Sequence, residues 1–454
     1  MELIFRLEGL LWGGPLLVIL MGCHIYFTLR LRFPQRFTLR GIRLSLSQGK
    51  GSAQVSPFGA LSTSLAAAIG TGNIIGVASA VALGGPGAVF WCWITGILGM
   101  ATRYAETVLA LKYKQVLPDG RCAGGPMYVM QQGLDRPRLG ALFSLLGVAV
   151  ALFTGAMIQS NAVGTCLSGS GISKGVTAFV LTLSAGVIIL GGTGRIGSVC
   201  EKLVPAMGGL YILGCLGVLW MNRSQVMSSL GLILSAAVSP KAAAGGFVGS
   251  TLMSALKYGT ARGLFTNESG MGTGPMATAA GPCRSPEIEG LVGMTGVFWD
   301  TVVICALTGV TLISAIAAQP DAFQGVGPGQ MCGLAFSSLP GGNLILTVSL
   351  SIFAFATVVG WSHYGAVCWE YLLGAGTVTI YRLCYLAAAF LGVFLELNTL
   401  WSLGGILSGL MAVPNVISLF ALRSQIPAPT PKVRKKPYSW FRRKVASSKS
   451  LDNT

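Results

Sequence analysis

Two glycine-rich strings carry the residues best suited to hold a small ion or zwitterion. The first is Gly70-Thr71-Gly72-Asn73 inside the apolar stretch Ser64 to Ala78, and the second is Phe265-Thr-Asn-Glu-Ser-Gly-Met-Gly-Thr-Gly-Pro275. Glycine weakens a helix by about 0.5–1 kcal/mol per residue, so clustered glycines within apolar runs predict backbone left unwound. At membrane depth such backbone must face protein or a water-filled cavity. Each break frees amide N–H groups from one arm and carbonyls from the other, with roughly half an elementary charge at each helix end. Freed N–H groups suit a carboxylate, and freed carbonyls suit an ammonium or a desolvated sodium ion; an amino acid presents both charges at once.

The remaining polar residues narrow the chemistry. No Asp or Glu occurs from Gly9 to Ala105, so the first break brings no acid of its own. The intramembrane acids are Glu106, Glu268, Asp300 and Glu370, each costing about 2.5–3.5 kcal/mol at mid-helix unless partnered. Glu268 lies inside the second break, either accepting N–H groups freed there or touching a cation. Arg103 and Glu106, three residues apart, share one helical face and can pair. Gln159 sits mid-span and faces either a cavity or a neighbouring helix. Thr357 and Trp361 are four apart on one face; Thr357 offers an oxygen to a cation or bonds back to its own helix, and Trp361 floors a small pocket or merely packs. His24 and His363 are too far apart in sequence to suggest a proton relay or metal site. The string Gly171-Ile-Ser-Lys-Gly175 matches a hydrolase nucleophile elbow but follows no strand, and no Walker A lysine motif occurs, which argues against an enzyme or an ATP-driven pump.

The elements that must position these residues are membrane helices. The 454 residues are 52% hydrophobic and only 10% charged, where about 25% charged is usual for a globular domain. Mean hydropathy is +0.69. The net charge of +17 gathers in short loops and the tail, as positive-inside topology requires, and not on a face that would suit nucleic acid. Cysteines such as Cys23, Cys92, Cys166, Cys215, Cys305 and Cys384 fall in apolar runs and read as small buried side chains.

Hydropathy predicts an all-α integral membrane protein of eleven transmembrane helices, N-terminus outside and C-terminus cytoplasmic. Residues 1–57 hold a first span, Leu10 to Leu29, and a basic loop. Residues 58–422 form the core. Residues 423–454 form a basic tail, expected to be disordered and drawn to anionic lipid. The spans of the core are the broken segment Phe58 to Leu83, a Trp91/Trp93 span, Leu139 to Thr165, Gly175 to Gly192, Leu203 to Trp220, the second broken segment Val248 to Ala280, Leu291 to Ala317, Asn343 to Leu373, Val378 to Leu395 and Leu400 to Leu422. Val226 to Val238 reads as an interfacial helix. The breaks are five spans apart, so the second runs opposite to the first, as an inverted repeat of five plus five helices behind one extra N-terminal helix requires.

Gly70-Thr-Gly-Asn73, Ala82-Leu-Gly-Gly-Pro-Gly-Ala-Val-Phe-Trp91, Gly124-Gly-Pro-Met127 and Asn267-Glu-Ser-Gly-Met-Gly272 resemble motifs of the alanine or glycine:cation symporter family, over about residues 5 to 422. The resemblance implies the leucine-transporter-like fold and sodium-driven import of alanine or glycine across a bacterial inner membrane, with no cofactor beyond the coupling sodium. It also implies a substrate pocket at Thr71, Gly72, Asn73, Gln159, Phe265, Asn267 and Trp361. A sodium site is implied at the carbonyls of Ala66, Ile69 and Phe353 with the Thr357 hydroxyl. This chain departs from the family pattern at Ala356, at His363 to Ala366, at Ser269 and at Thr273-Gly274. A proton-coupled or exchange permease, or a non-transporting amino acid sensor, are the other readings.

Overall fold

The computed structural model describes residues 2–46, 55–117, 121–238, 251–281 and 285–430. These are almost wholly helical, apart from one antiparallel pair of two-residue strands, β1 (Gln115–Val116) and β2 (Cys122–Ala123). The basic-loop residue Lys50, Arg284 and the tail beyond Thr430 lie outside the described residues.

Helix α1 (Glu2–Trp12) turns at Gly13-Gly14 into α2 (Pro15–Arg30), and short α3 (Thr38–Ser45) follows. The first broken segment is α4 (Pro57–Ala68), a break at Ile69 to Thr71, a π-helical turn Gly72–Gly76, and α5 (Val77–Gly84). After the turn at Gly85, which adopts φ 69°, α6 (Gly87–Lys112) returns. Then come α7 (Pro137–Ser168), α8 (Lys174–Ile189), α9 (Gly192–Met221) and α10 (Arg223–Val238). The second broken segment is α11 (Leu252–Asn267) and α12 (Gly274–Ala280). The chain closes with α13 (Pro286–Ala318), α14 (Pro328–Ser337), α15 (Gly342–Leu373), α16 (Val378–Gly392) and α17 (Leu397–Ala421).

Seven helices among the described residues are long and apolar enough to cross a membrane, or eight when α4 and its partner arm count as one bent span. The protein is therefore a multi-pass membrane protein. The sequence reading counts further spans because it accepts α6, whose C-terminal half carries Arg103 and Glu106, the 16-residue α8, and the interrupted α11–α12 segment. Large apolar side chains stay exposed in rows, such as Phe179, Leu183 and Val187 on α8 and Ile380, Leu383 and Leu391 on α16, which is how a helix meets lipid. Cys384 belongs to that lipid-facing row and is exposed, contrary to the expectation of a buried thiol. Helix α10, read as interfacial, docks Ser229, Ile233, Ala236 and Ala237 onto α6 and α13. Residues 423–430 are not a loose tail. Ile426 is buried, and backbone carbonyls of Arg423, Pro427 and Thr430 accept bonds from Arg30, Tyr104 and Arg40.

Helix α6 is the post around which the breaks are arranged, packing on α2, α11, α12 and α13. Its Glu106 takes three donors on one oxygen: the amides of Gly270 (2.8 Å) and Gly272 (3.0 Å) and the Asn415 side chain (2.8 Å). One turn away, Arg103 donates to the Asn267 carbonyl at 2.7 Å and stands 3.7 Å from the other Glu106 oxygen. Gly270 and Gly272 have φ of 93° and 80°, a left-handed backbone that frees their amides to point at one carboxylate. Removing one partner of a buried pair leaves a charge uncompensated, at about 3–5 kcal/mol. Glu106→Ala is expected to lower stability by about that amount, and Glu106→Gln by less because its amide oxygen still accepts; tryptophan-fluorescence melting of the protein in detergent measures both.

Candidate functional site

The first break is shorter than its glycines suggest, since the chain is helical again from Gly72, and the two arms meet at 54°. Four side chains hold it open. Gln159 Oε1 accepts from the Thr71 amide (3.2 Å) and hydroxyl (3.0 Å). Asn73 accepts from the Gly70 amide at 2.9 Å and donates to Asp300 at 2.6 Å. Trp361 Nε1 donates to the Ala67 carbonyl at 3.2 Å.

The fourth is Thr357. Its hydroxyl lies 3.0 Å from the Ala66 carbonyl oxygen, 3.2 Å from that of Ile69 and 3.0 Å from that of Phe353. One hydroxyl proton satisfies one of three carbonyls at a time. Four oxygens therefore converge with lone pairs to spare, the donor set that suits a desolvated cation. Helix α15 reaches this position through Gly360, where a Cβ would stand 2.7 Å from the Ala67 nitrogen.

The second break is closed differently. Its carboxylate is Glu106, not Glu268: the sequence reading offered Glu268 as acceptor of the freed amides, and packing gives that part to α6. Glu268, left-handed at φ 53°, instead accepts from the Thr273 hydroxyl at 2.5 Å and turns to the space between the breaks. Gly274, one of the departures from the family pattern, leaves room that the Arg103 guanidinium fills, since a Cβ there would clash with it.

Between the breaks lies a cavity of about 30 Å³, measured by the space open to the centre of a water molecule. That volume admits about one or two waters. Gly70, Gly72, Gln159, Phe265, Thr357 and Trp361 line it, so most of the residues expected at a pocket do meet. Three expected residues are not part of its wall. Thr71 lies behind Gln159, Asn73 is bound to Asp300, and Asn267 turns its oxygen to the Ser269 amide. Sequence reasoning missed Thr154, Trp401 and Ser408, which line the cavity from α7 and α17; no local motif marks them. Phe265 and Trp401, with ring centroids 5.5 Å apart, divide the cavity from a larger one of about 340 Å³ on the α1 side.

The model of the sodium:alanine symporter family matches residues 1–439. The chain belongs to that family. Among relatives of this symporter family, an uncharacterised transporter of Haemophilus influenzae is 44% identical over 94% of each chain. The sodium/alanine symporter AgcS of Methanococcus maripaludis is 40% identical over 94% of this chain and 96% of its own. A crystal structure of MhsT in complex with L-phenylalanine superposes with a TM-score of 0.54 at 15% identity, covering 83% of this chain and 89% of that one, and shows the shared fold.

Helix α7 approaches Trp361 at Gly155, where a Cβ would clash with the Trp361 side chain close to its backbone. Gly155→Ala is expected to destabilise this family member by about 1–3 kcal/mol through overpacking and to shift the tryptophan emission, as read in the same melting experiment.

Proposed function

We propose that the protein is a secondary symporter that imports a small neutral amino acid, alanine or glycine, with sodium by alternating access. In this reading it lies in a bacterial inner membrane with its N-terminus outside, and its eleven spans comprise one leading helix and two inverted sets of five. The observation that carries the reading is the Thr357 hydroxyl set among the carbonyls of Ala66, Ile69 and Phe353, beside a cavity walled by both breaks. Sodium there would tie α4 to α15 and order the first break. The cavity admits only about one or two waters as it stands and must widen to take an amino acid, and the relative named for sodium and alanine supports a small neutral one. One sodium moving down about 100 mV releases about 2.3 kcal/mol, enough to concentrate a neutral solute roughly fiftyfold.

Buried Glu268 in the cavity wall and Asp300 beside the first break favour, as a second reading, proton coupling in place of sodium. Uptake of labelled alanine into proteoliposomes, with sodium, proton and voltage gradients imposed separately, decides between them. Accumulation driven by sodium and lost in Thr357→Ala is the expected result; accumulation driven by protons alone selects the second reading. Trp361→Ala is expected to admit larger neutral amino acids in the same assay, and an unchanged substrate range would remove Trp361 from the pocket.

A further inference from the structure

Arg262, one turn before the second break, has no carboxylate partner among the described residues. Its guanidinium lies flat on the outer arm of the first break, where a Cβ on Gly76 would clash with it. It stands over two adjoining aromatic rings, 5.6 Å from the Phe265 centroid and 5.4 Å from that of Trp401. Its Nη1 is shielded from solvent and makes no hydrogen bond. A guanidinium drawn partly out of water without an anion is unfavourable, while its planar fork fits a carboxylate on two bonds.

Across the same cavity stands one acid, Glu8 of α1, whose Oε2 accepts from Ser402 at 2.5 Å. Glu8 and Arg262 line both this cavity of about 340 Å³ and the adjoining one of about 1410 Å³, yet no ion pair joins them. Two opposite charges facing one half-desolvated space, with Trp12, Phe265 and Trp401 between, complement a ligand carrying both charges. Lys257 also lines the cavity, with its ammonium over the Tyr258 ring at 5.4 Å, so the mouth as a whole attracts a carboxylate.

We propose that this mouth is a second amino acid site, in which Arg262 takes the carboxylate and Glu8 the ammonium of a zwitterion waiting outside the Phe265–Trp401 partition. The inference rests on the amino acid reading above. Arg262 also borders the inner cavity's wall, its Nη1 standing 3.7 Å from where a Gly72 Cβ would lie. Drawing the guanidinium outward onto a carboxylate therefore loosens the partition.

Equilibrium binding of radiolabelled alanine to the full chain in detergent, with saturating sodium, tests this. The expected result is two equivalents bound per wild-type chain. Arg262→Gln and Glu8→Gln each lose one, Gln159→Ala keeps the outer one alone, and Arg262→Lys keeps two with the outer one severalfold weaker. A single equivalent in the wild type, lost in Gln159→Ala and unchanged in Arg262→Gln and Glu8→Gln, overturns the second site and leaves the amino acid reading standing. No bound alanine at all in a folded wild-type protein overturns the amino acid reading and this site with it.

Discussion

The ion pair of Arg103 and Glu106 is the constraint on which the rest of the structure depends. A helix interrupted inside a bilayer leaves amides and carbonyls that neither water nor lipid satisfies. Here one turn of α6 meets both kinds at the second break: the guanidinium takes the Asn267 carbonyl and the carboxylate takes the Gly270 and Gly272 amides. The two charges also offset each other, which makes their burial tolerable. Asn415 on α17 joins the same carboxylate and the Gly270 carbonyl, so the break is tied to two helices far apart in sequence.

The first break is held by neutral groups. Gln159, Asn73, Thr357 and Trp361 contact its freed backbone one bond at a time, and Thr357 faces more acceptors than it has protons. One break thus rests on a buried ion pair, and the other retains spare oxygen lone pairs beside an internal cavity. That asymmetry leaves the backbone under-donated at the α4 and α15 contact, which is what the proposed cation site calls for, while α6 braces the second break.

The Phe265 and Trp401 rings and the Arg262 guanidinium form a wall between a buried cavity and a mouth built in part by α1. On the opposite face, Arg121 pairs with Glu370 at 2.6 Å and residues 423–430 pack beneath α6.

Much of this was legible along the chain. Low charge and long apolar runs require lipid as solvent, clustered glycines mark where helices stop, and spacings of three and four place Arg103 with Glu106 and Thr357 with Trp361 on shared faces. Those inferences hold because helix periodicity and backbone propensity are local properties. Tertiary structure alone decided that Glu106 and not Glu268 serves the second break, that Asn73 turns to Asp300 and away from the cavity, and that Trp401 and Ser408 complete the wall. Each of those contacts is set by how helices pack, and a helical period states which face a residue shares without stating what that face will meet.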